Sequence, residues 1–325
     1  MIVVETPLRI GLIGGGTDIP SFYEKEPGYV LSAAIDKYVY VVLKERFDDL
    51  IYVNYSKKEI VESVDDLNHD LVREAMRATG LTKGIEVTTL ADIPAEGTGL
   101  GSSSSILVAL LHAMYALQGE LRSKEELARE ACHIEITILG RPIGKQDQYA
   151  AAYGDIRLFG FRADGGVTVD AINLDENTRR RVAQNLMLVY TNQQRSASAI
   201  LARQGERRDE NLTALRRLRD MALLARRELE AGNVDALGEM LHENWQIKQT
   251  LADGITNDRI DEMYETARRA GALGGKVTGA GGGGFLLLYC RPGDHEAVRE
   301  ALGHPRILNC AIDRAGTRVV FQTRR

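Results

Sequence analysis

The stretch GTGLGSSSS, residues 97–105, places three glycines at alternating positions and follows them with four hydroxyls. Side-chain-poor backbone running into an apolar helix presents N–H groups at a helix N-terminus, which suits an anion such as a phosphate chain. Simple capping of that helix by serine is the other reading. Serines rather than a lysine follow Gly101, so the common nucleotide-triphosphatase signature is absent. Upstream, LRIGLIGGGTDIP sets Gly14, Gly15 and Gly16 between a strand and Asp18, and such a run reads first as a turn. Downstream, EITILGRPIGKQDQYAAAYG carries Glu135 and Asp147. Glu135 falls on the apolar stripe of its helix, four residues after Ala131. A carboxylate buried there needs a cation, either a bound one or an Arg or Lys from elsewhere. Asp147 stands among Lys145, Gln146 and Gln148 and reads equally as the cap of a helix starting near Gln148.

A fourth stretch, KVTGAGGGGFLLLYC, holds Gly279, Gly281 and Gly284 in the register of a dinucleotide fingerprint. It opens a strand rather than a helix and comes late in the chain, so a Rossmann reading is rejected. Glycines this dense let backbone approach either a ligand or another element closely.

The elements that must position these residues follow from periodicity. Val, Ile and Tyr content predicts strands at 10–13, 30–35, 38–43, 51–54 and 85–90. Ile106, Leu107, Leu110, Ala113, Met114 and Leu117 recur at helical spacing, which predicts a largely buried helix over about 103–118 with its N-terminus at the glycine loop. Ser123 and Glu126 form a capping box that opens a second helix, expected to end at Gly140. The third quarter is charged and helical, with helices expected over 195–230, 234–251 and 257–270. Strands return at 274–278, 285–290 and 317–322, around a short helix near 294–302. A domain boundary is expected near residue 180, giving units of 1–180 and 181–325.

The remaining bounds exclude several classes. With a net charge of −5 and 44% apolar residues, the chain lacks the basic footprint of a nucleic-acid binder and is expected to have no nucleic-acid partner. Three cysteines, Cys132, Cys290 and Cys310, fit neither a disulfide framework nor a zinc site. No apolar run is long enough to span a membrane and no leader peptide is recognisable, so a cytoplasmic protein without a membrane partner is expected.

Together the stretches resemble the motifs of the GHMP kinases, a family of small-molecule kinases named for galactokinase, homoserine kinase, mevalonate kinase and phosphomevalonate kinase. PLRIGLIGGGTD at 7–18, PAEGTGLGSSSS at 94–105 and KVTGAGGGGF at 276–285 occur in the family order. The resemblance implies a two-domain α+β fold, with an N-terminal domain like domain 2 of ribosomal protein S5 and a ferredoxin-like C-terminal domain. ATP and Mg²⁺ would lie between them. It implies that Gly97, Gly99, Leu100, Gly101, Ser102, Ser103 and Ser104 wrap the ATP phosphates, and that Glu135 with Ser103 or Ser104 binds the metal. Glu135 stands five residues before the GRPIG turn, as a metal-binding glutamate does in mevalonate kinase. Asp147 matches the catalytic aspartate, one residue further from that turn than in mevalonate kinase, and Arg9 matches the arginine beside it in galactokinase.

Within the family, galactokinases carry Glu and His where this chain has Gly15 and Gly16, which disfavours galactose, although Asp18 is retained for sugar hydroxyls. GGGTDIPSFY, GKQDQYAAAYG and YTNQQRSASAIL are similar to bacterial sugar kinases that phosphorylate the anomeric hydroxyl of D-glycero-D-manno-heptose 7-phosphate. The product would feed activated heptose for lipopolysaccharide, capsule or other surface glycans. Such a substrate needs a cationic pocket, for which Arg141, Lys145, Arg195 and Lys276 are the candidates. Gly14, Gly15, Gly16, Asp18, Gly281 and Gly282 complete the expected substrate set. An unphosphorylated sugar is the alternative acceptor, and a sugar- and ATP-binding sensor without turnover is the alternative of another class. The oligomeric state stays open, a homodimer among the options.

Overall fold

The long strand Gly28–Glu45 is the spine of the fold. It pairs along one side with Ile2–Gly14, and along the other with Ile156–Phe161 and then Ile85–Ala91. The eight-stranded mixed sheet is completed by Ile51–Asn54, Lys58–Val61, Val167–Ala171 and Arg318–Gln322. These features belong to a computed structural model, which describes residues 1–94, 97–193, 200, 201, 203 and 208–323.

Two strands expected at 30–35 and 38–43 are one strand in the structure. Its register against the neighbour jumps from Leu8 opposite Ile35 to Pro7 opposite Tyr38, which leaves Asp36 and Lys37 as a bulge. Asp36 is pinned there by Ala311, whose carbonyl accepts the Asp36 N–H and whose N–H donates to the Asp36 carboxylate, a partner the local sequence does not reveal. Strands 58–61, 156–161, 167–171 and 186–190 were also not signalled by pattern. Lys58–Val61 is a charged edge, and Ile156–Phe161 contains Gly160 where an extra Cβ would crowd Thr168 and Tyr29.

The helix Ser102–Leu117 is apolar on all sides because it is covered on all sides. It lies on the strands Ile2–Gly14 and Gly28–Glu45 and under the helices Asp70–Thr79, Lys124–Cys132 and Gln146–Tyr153. A second sheet runs in the order Ile307–Leu308, Leu186–Tyr190, Phe285–Tyr289 and Gly274–Val277, with the helix Ala236–Gln249 packed on it. The helix Arg208–Glu230 joins the two halves, since it touches both Ala236–Gln249 and the long strands of the first sheet. The chain's last strand, Arg318–Gln322, returns to pair with residues 2–5 of the first sheet. No helix among the described residues is long and apolar enough to cross a membrane.

Candidate active site

A cavity of about 1050 Å³ opens between the first sheet's glycine loop and the glycine run that precedes Phe285. Its walls include Arg9, Gly15, Gly16, Asp18, Gly97 to Ser104, Glu135, Arg141, Asp147, Lys248 and Gly279 to Gly281.

The glycine loop is built for backbone exposure. Gly97, Gly99 and Gly101 take φ of 70°, 71° and 77°, the left-handed region that glycine enters without penalty. Gly101 is the N-cap of the helix Ser102–Leu117, and no side chain caps it. Serine capping is therefore not what the four hydroxyls do. Ser103 and Ser104 donate to Glu135 at 2.9 and 2.6 Å, and Ser105 donates to the Pro7 carbonyl at 2.8 Å. Ser102 is buried on the cavity wall, and its Oγ has no hydrogen-bond partner among the described residues. An orphaned hydroxyl beside uncapped helical N–H groups fits an anionic oxygen from a ligand.

The second glycine run presses against the first. A Cβ on Gly279 would lie 2.8 Å from Gly99 Cα, and one on Gly99 would lie 2.6 Å from the Thr278 carbonyl oxygen. The close approach left open by the sequence is thus to another element, with Gly279, Ala280, Gly281 and Gly283 also facing the cavity. Gly282 does not line it and donates its N–H to the Ile255 carbonyl at 2.8 Å.

Asp147 lies in the first turn of the helix Gln146–Tyr153 and caps nothing. Its carboxylate receives Arg9 Nε at 2.7 Å and Nη2 at 2.5 Å, while Arg9 Nη1 donates to the Gly99 carbonyl at 2.6 Å. Arg9 is buried in the first strand and Asp147 is partly open to the cavity. A bidentate guanidinium fixes the carboxylate's orientation. Asp18 is buried and accepts from the N–H groups of Gly16 and Gln146 at 3.1 and 3.3 Å. Burial, and next the charge of Asp147, push its carboxyl above the ordinary range.

Glu135 is wholly buried in a π-helical turn, His133–Ile138, where the Leu139 N–H reaches the Ile134 carbonyl. Such insertions re-aim side chains at functional sites, and this one interrupts the helix expected to run unbroken to Gly140. Its carboxylate accepts from Ser103, Ser104, Gln148 Nε2 at 2.6 Å and Arg141 Nη1 at 2.8 Å. Arg141 also donates to Ser103 at 2.6 Å and to Asp70 at 2.8 Å.

These features can be set beside known proteins. The model for the GHMP kinases N terminal domain matches residues 66–155, and that for the GHMP kinases C terminal matches 225–305. Both domain models match in order and together cover more than half of the chain. The chain belongs to the GHMP kinase family. A D-glycero-alpha-D-manno-heptose 7-phosphate kinase of Campylobacter jejuni is 30% identical over 305 residues, covering 90% of each chain. A bifunctional fucokinase/GDP-fucose pyrophosphorylase of Arabidopsis thaliana is 26% identical across 91% of this chain and 30% of its own length. The solved structure of a D-glycero-D-manno-heptose 1-phosphate kinase from Bacteroides thetaiotaomicron superposes with a TM-score of 0.83 at 26% identity and full coverage of both chains. This GHMP kinase is accordingly an α+β, two-domain sugar kinase that transfers a phosphoryl group from ATP to an alcohol.

The structure sorts the residues expected to meet substrate. Gly15, Gly16, Asp18, Arg141 and Gly281 line the cavity of this GHMP kinase. Gly14 does not; its N–H donates to Asn244 Oδ1 at 2.7 Å and a Cβ would lie 2.9 Å from the Tyr29 carbonyl, so it serves packing. Lys145 also lies off the wall, donating to the Gly165 carbonyl at 2.6 Å with its ammonium over the Tyr23 ring. Lys276 is buried beneath the site, donates to the Leu12 carbonyl at 3.3 Å, and is depressed well below the ordinary lysine range by burial. Arg195 lies outside the described residues.

Sequence reasoning passed over Lys248. It is buried near the end of the helix Ala236–Gln249, lines the cavity and donates to the Gly279 carbonyl. The signal available was a lysine on the stripe of Leu241, Asn244 and Trp245, all buried on that helix.

Proposed function

We propose that this GHMP kinase phosphorylates the anomeric hydroxyl of D-glycero-D-manno-heptose 7-phosphate to the 1,7-bisphosphate, with Asp147 as the base. The observation that carries the mechanism is the Arg9–Asp147 pair, a carboxylate held at the cavity wall by a guanidinium that also grips the Gly99 carbonyl of the uncapped glycine loop. The substrate assignment rests on the Campylobacter jejuni relative named for that activity.

In this reading the ATP phosphates lie on the N–H groups of residues 97–104 and the Ser102 hydroxyl. Asp147 accepts the acceptor's proton, and Arg9 holds the carboxylate in place for that transfer. Asp18, already bridging the Gly16 and Gln146 backbone, presents its carboxyl to sugar hydroxyls. Glu135, Ser103 and Ser104 form a hard-oxygen set suited to Mg²⁺, a cation that satisfies the buried carboxylate as Arg141 does here. When bound, the metal would neutralise phosphate charge and orient the phosphates for in-line transfer. A cytoplasmic enzyme, with ATP at hand as donor, fits this reading.

The test is ADP release from ATP, with and without Mg²⁺, against the heptose 7-phosphate, the heptose 1-phosphate, the free heptose, mannose, galactose and fucose, with Asp147→Asn alongside. Turnover confined to the 7-phosphate and lost in the variant supports the reading. Preference for the 1-phosphate, as the Bacteroides thetaiotaomicron protein's name would have it, or for a neutral sugar, overturns the acceptor but keeps the kinase. ATP binding without turnover on any acceptor moves the protein to the sensor class.

A further inference from the structure

We propose that Lys248 is a catalytic residue of this kinase, its ammonium donating to the phosphoryl group while it passes from ATP to the acceptor. The inference rests on the phosphotransfer reading above and is independent of which sugar accepts.

Three cations line the described wall of the cavity: Arg9, Arg141 and Lys248. The first two are already committed. Arg9 grips Asp147 with two N–H groups and the Gly99 carbonyl with a third, in a geometry that fixes the guanidinium plane. Arg141 is divided among Glu135, Ser103 and Asp70. Lys248 has one hydrogen bond among the described residues, to the Gly279 carbonyl, and no carboxylate there forms an ion pair with it. Among the described residues, two of its three N–H bonds have no partner, and the side chain lines the cavity.

Its neighbours are the groups that the phosphotransfer reading sets around the reacting atoms. Gly279, to which it is tethered, presses on Gly99 of the glycine loop, and the charges that act on its ammonium are those of Arg9, Asp18 and Asp147. Lys276 is buried close by, and the charge of Lys248 is, after burial, one of the causes that depress its ammonium. An ammonium taken out of water without a counter-ion is destabilising, and a fold retains one where an anion will complete it. Here the anion is the transferring phosphoryl. As it moves, the bond from acceptor oxygen to phosphorus forms and the bond from phosphorus to the β,γ-bridging oxygen breaks. The electron pair leaves on ADP, and the acceptor's proton goes to Asp147. Charge spread over the equatorial phosphoryl oxygens is what a preorganised, desolvated ammonium stabilises.

The first test is Lys248→Met with whichever acceptor turns over. A fall in kcat of about 10²–10³-fold is expected, with the acceptor KM changed by less than roughly threefold. Thermal unfolding of the variant should match or exceed wild type, because a buried charge is removed, and MgADP binding should equal that of wild type. Burial, and next the charge of Arg9, bring the Lys248 ammonium down to about 8. The wild-type kcat/KM should therefore decline above about pH 8, and Lys248→Arg, which cannot deprotonate, should restore part of kcat and move that limb beyond about pH 10. A second arm needs no acceptor: MgADP with aluminium fluoride, a mimic of the phosphoryl in transit, should bind Lys248→Met at least tenfold more weakly than wild type, while MgADP alone binds both equally. A kcat within roughly threefold of wild type, a loss confined to the acceptor KM, an unmoved alkaline limb in Lys248→Arg, or equal aluminium fluoride binding each overturns the proposal. If the kinase reading itself fails, the acceptor assays are silent for wild type and variant alike, and the aluminium fluoride arm decides Lys248 separately.

Discussion

Replacing Gly99 with alanine isolates the contact between the two glycine runs from ordinary backbone strain. Gly99 and Gly119 have nearly the same φ, 71° and 77°. A Cβ on Gly119 would meet nothing within 4 Å, whereas one on Gly99 would lie 2.6 Å from the Thr278 carbonyl oxygen and 2.7 Å from its Oγ1. Thr278 has little freedom to yield, since its Oγ1 donates to the Thr98 carbonyl at 3.0 Å and its N–H to the Phe285 carbonyl at 2.9 Å. Left-handed strain of about 1–2 kcal/mol, partly offset by about 0.4–1 kcal/mol from a less flexible unfolded chain, applies to both variants. Overpacking adds about 1–3 kcal/mol for Gly99→Ala alone. Urea unfolding should therefore place Gly119→Ala about 0–1.5 kcal/mol below wild type and Gly99→Ala about 1–4.5 kcal/mol below it. The loop's N–H groups are displaced along with its backbone, so MgATP should bind Gly99→Ala about 10–100-fold more weakly by calorimetry, with Gly119→Ala unchanged. Equal stability losses within about 0.5 kcal/mol, or undiminished MgATP affinity in Gly99→Ala, would refute the contact as the element that shapes the loop.

Two further expectations concern buried charge. Asp18 is held above the ordinary carboxyl value of 3.8 by burial and by Asp147, so the folded state binds its proton more tightly than the unfolded one and stability falls as pH rises through the folded value. Asp18→Asn should therefore raise the melting temperature at about pH 8 by an amount that shrinks towards about pH 4, while weakening acceptor binding; a gain that grows on acidification contradicts this sign. Lys276 is held below the ordinary lysine value of 10.5 by burial, so stability is lost as pH falls from that value. Lys276→Met should melt above wild type at about pH 7, the gap closing towards about pH 10, with the acceptor KM within roughly threefold of wild type; a large rise in KM would return this lysine to the substrate pocket.

The amino-acid sequence by itself determined the chemistry-bearing loops. Gly97, Gly99 and Gly101, the serines after them and the apolar run from Ile106 to Leu117 specify a glycine loop on a buried helix, because side-chain absence and helical periodicity are local properties. The capping box at Ser123 and Glu126 was legible for the same reason and forms as read. Ile2–Gly14 and Gly28–Glu45 were each seen only in part, since a strand's length is set by its partners and the bulge at Asp36 by Ala311. Tertiary structure alone decided the fate of the charges. Arg141 and Lys145 stand four residues apart, yet one faces the cavity beside Glu135 and the other turns to Gly165. Lys276 sits in a glycine-rich motif but is buried beneath it, while Lys248, on an unremarkable helix, emerges at the cavity wall. Where a long side chain ends, and whether its charge is already paired, depends on neighbours that are distant in the chain. That information resides in packing, because a local pattern specifies which face a residue takes and not what waits on the other side.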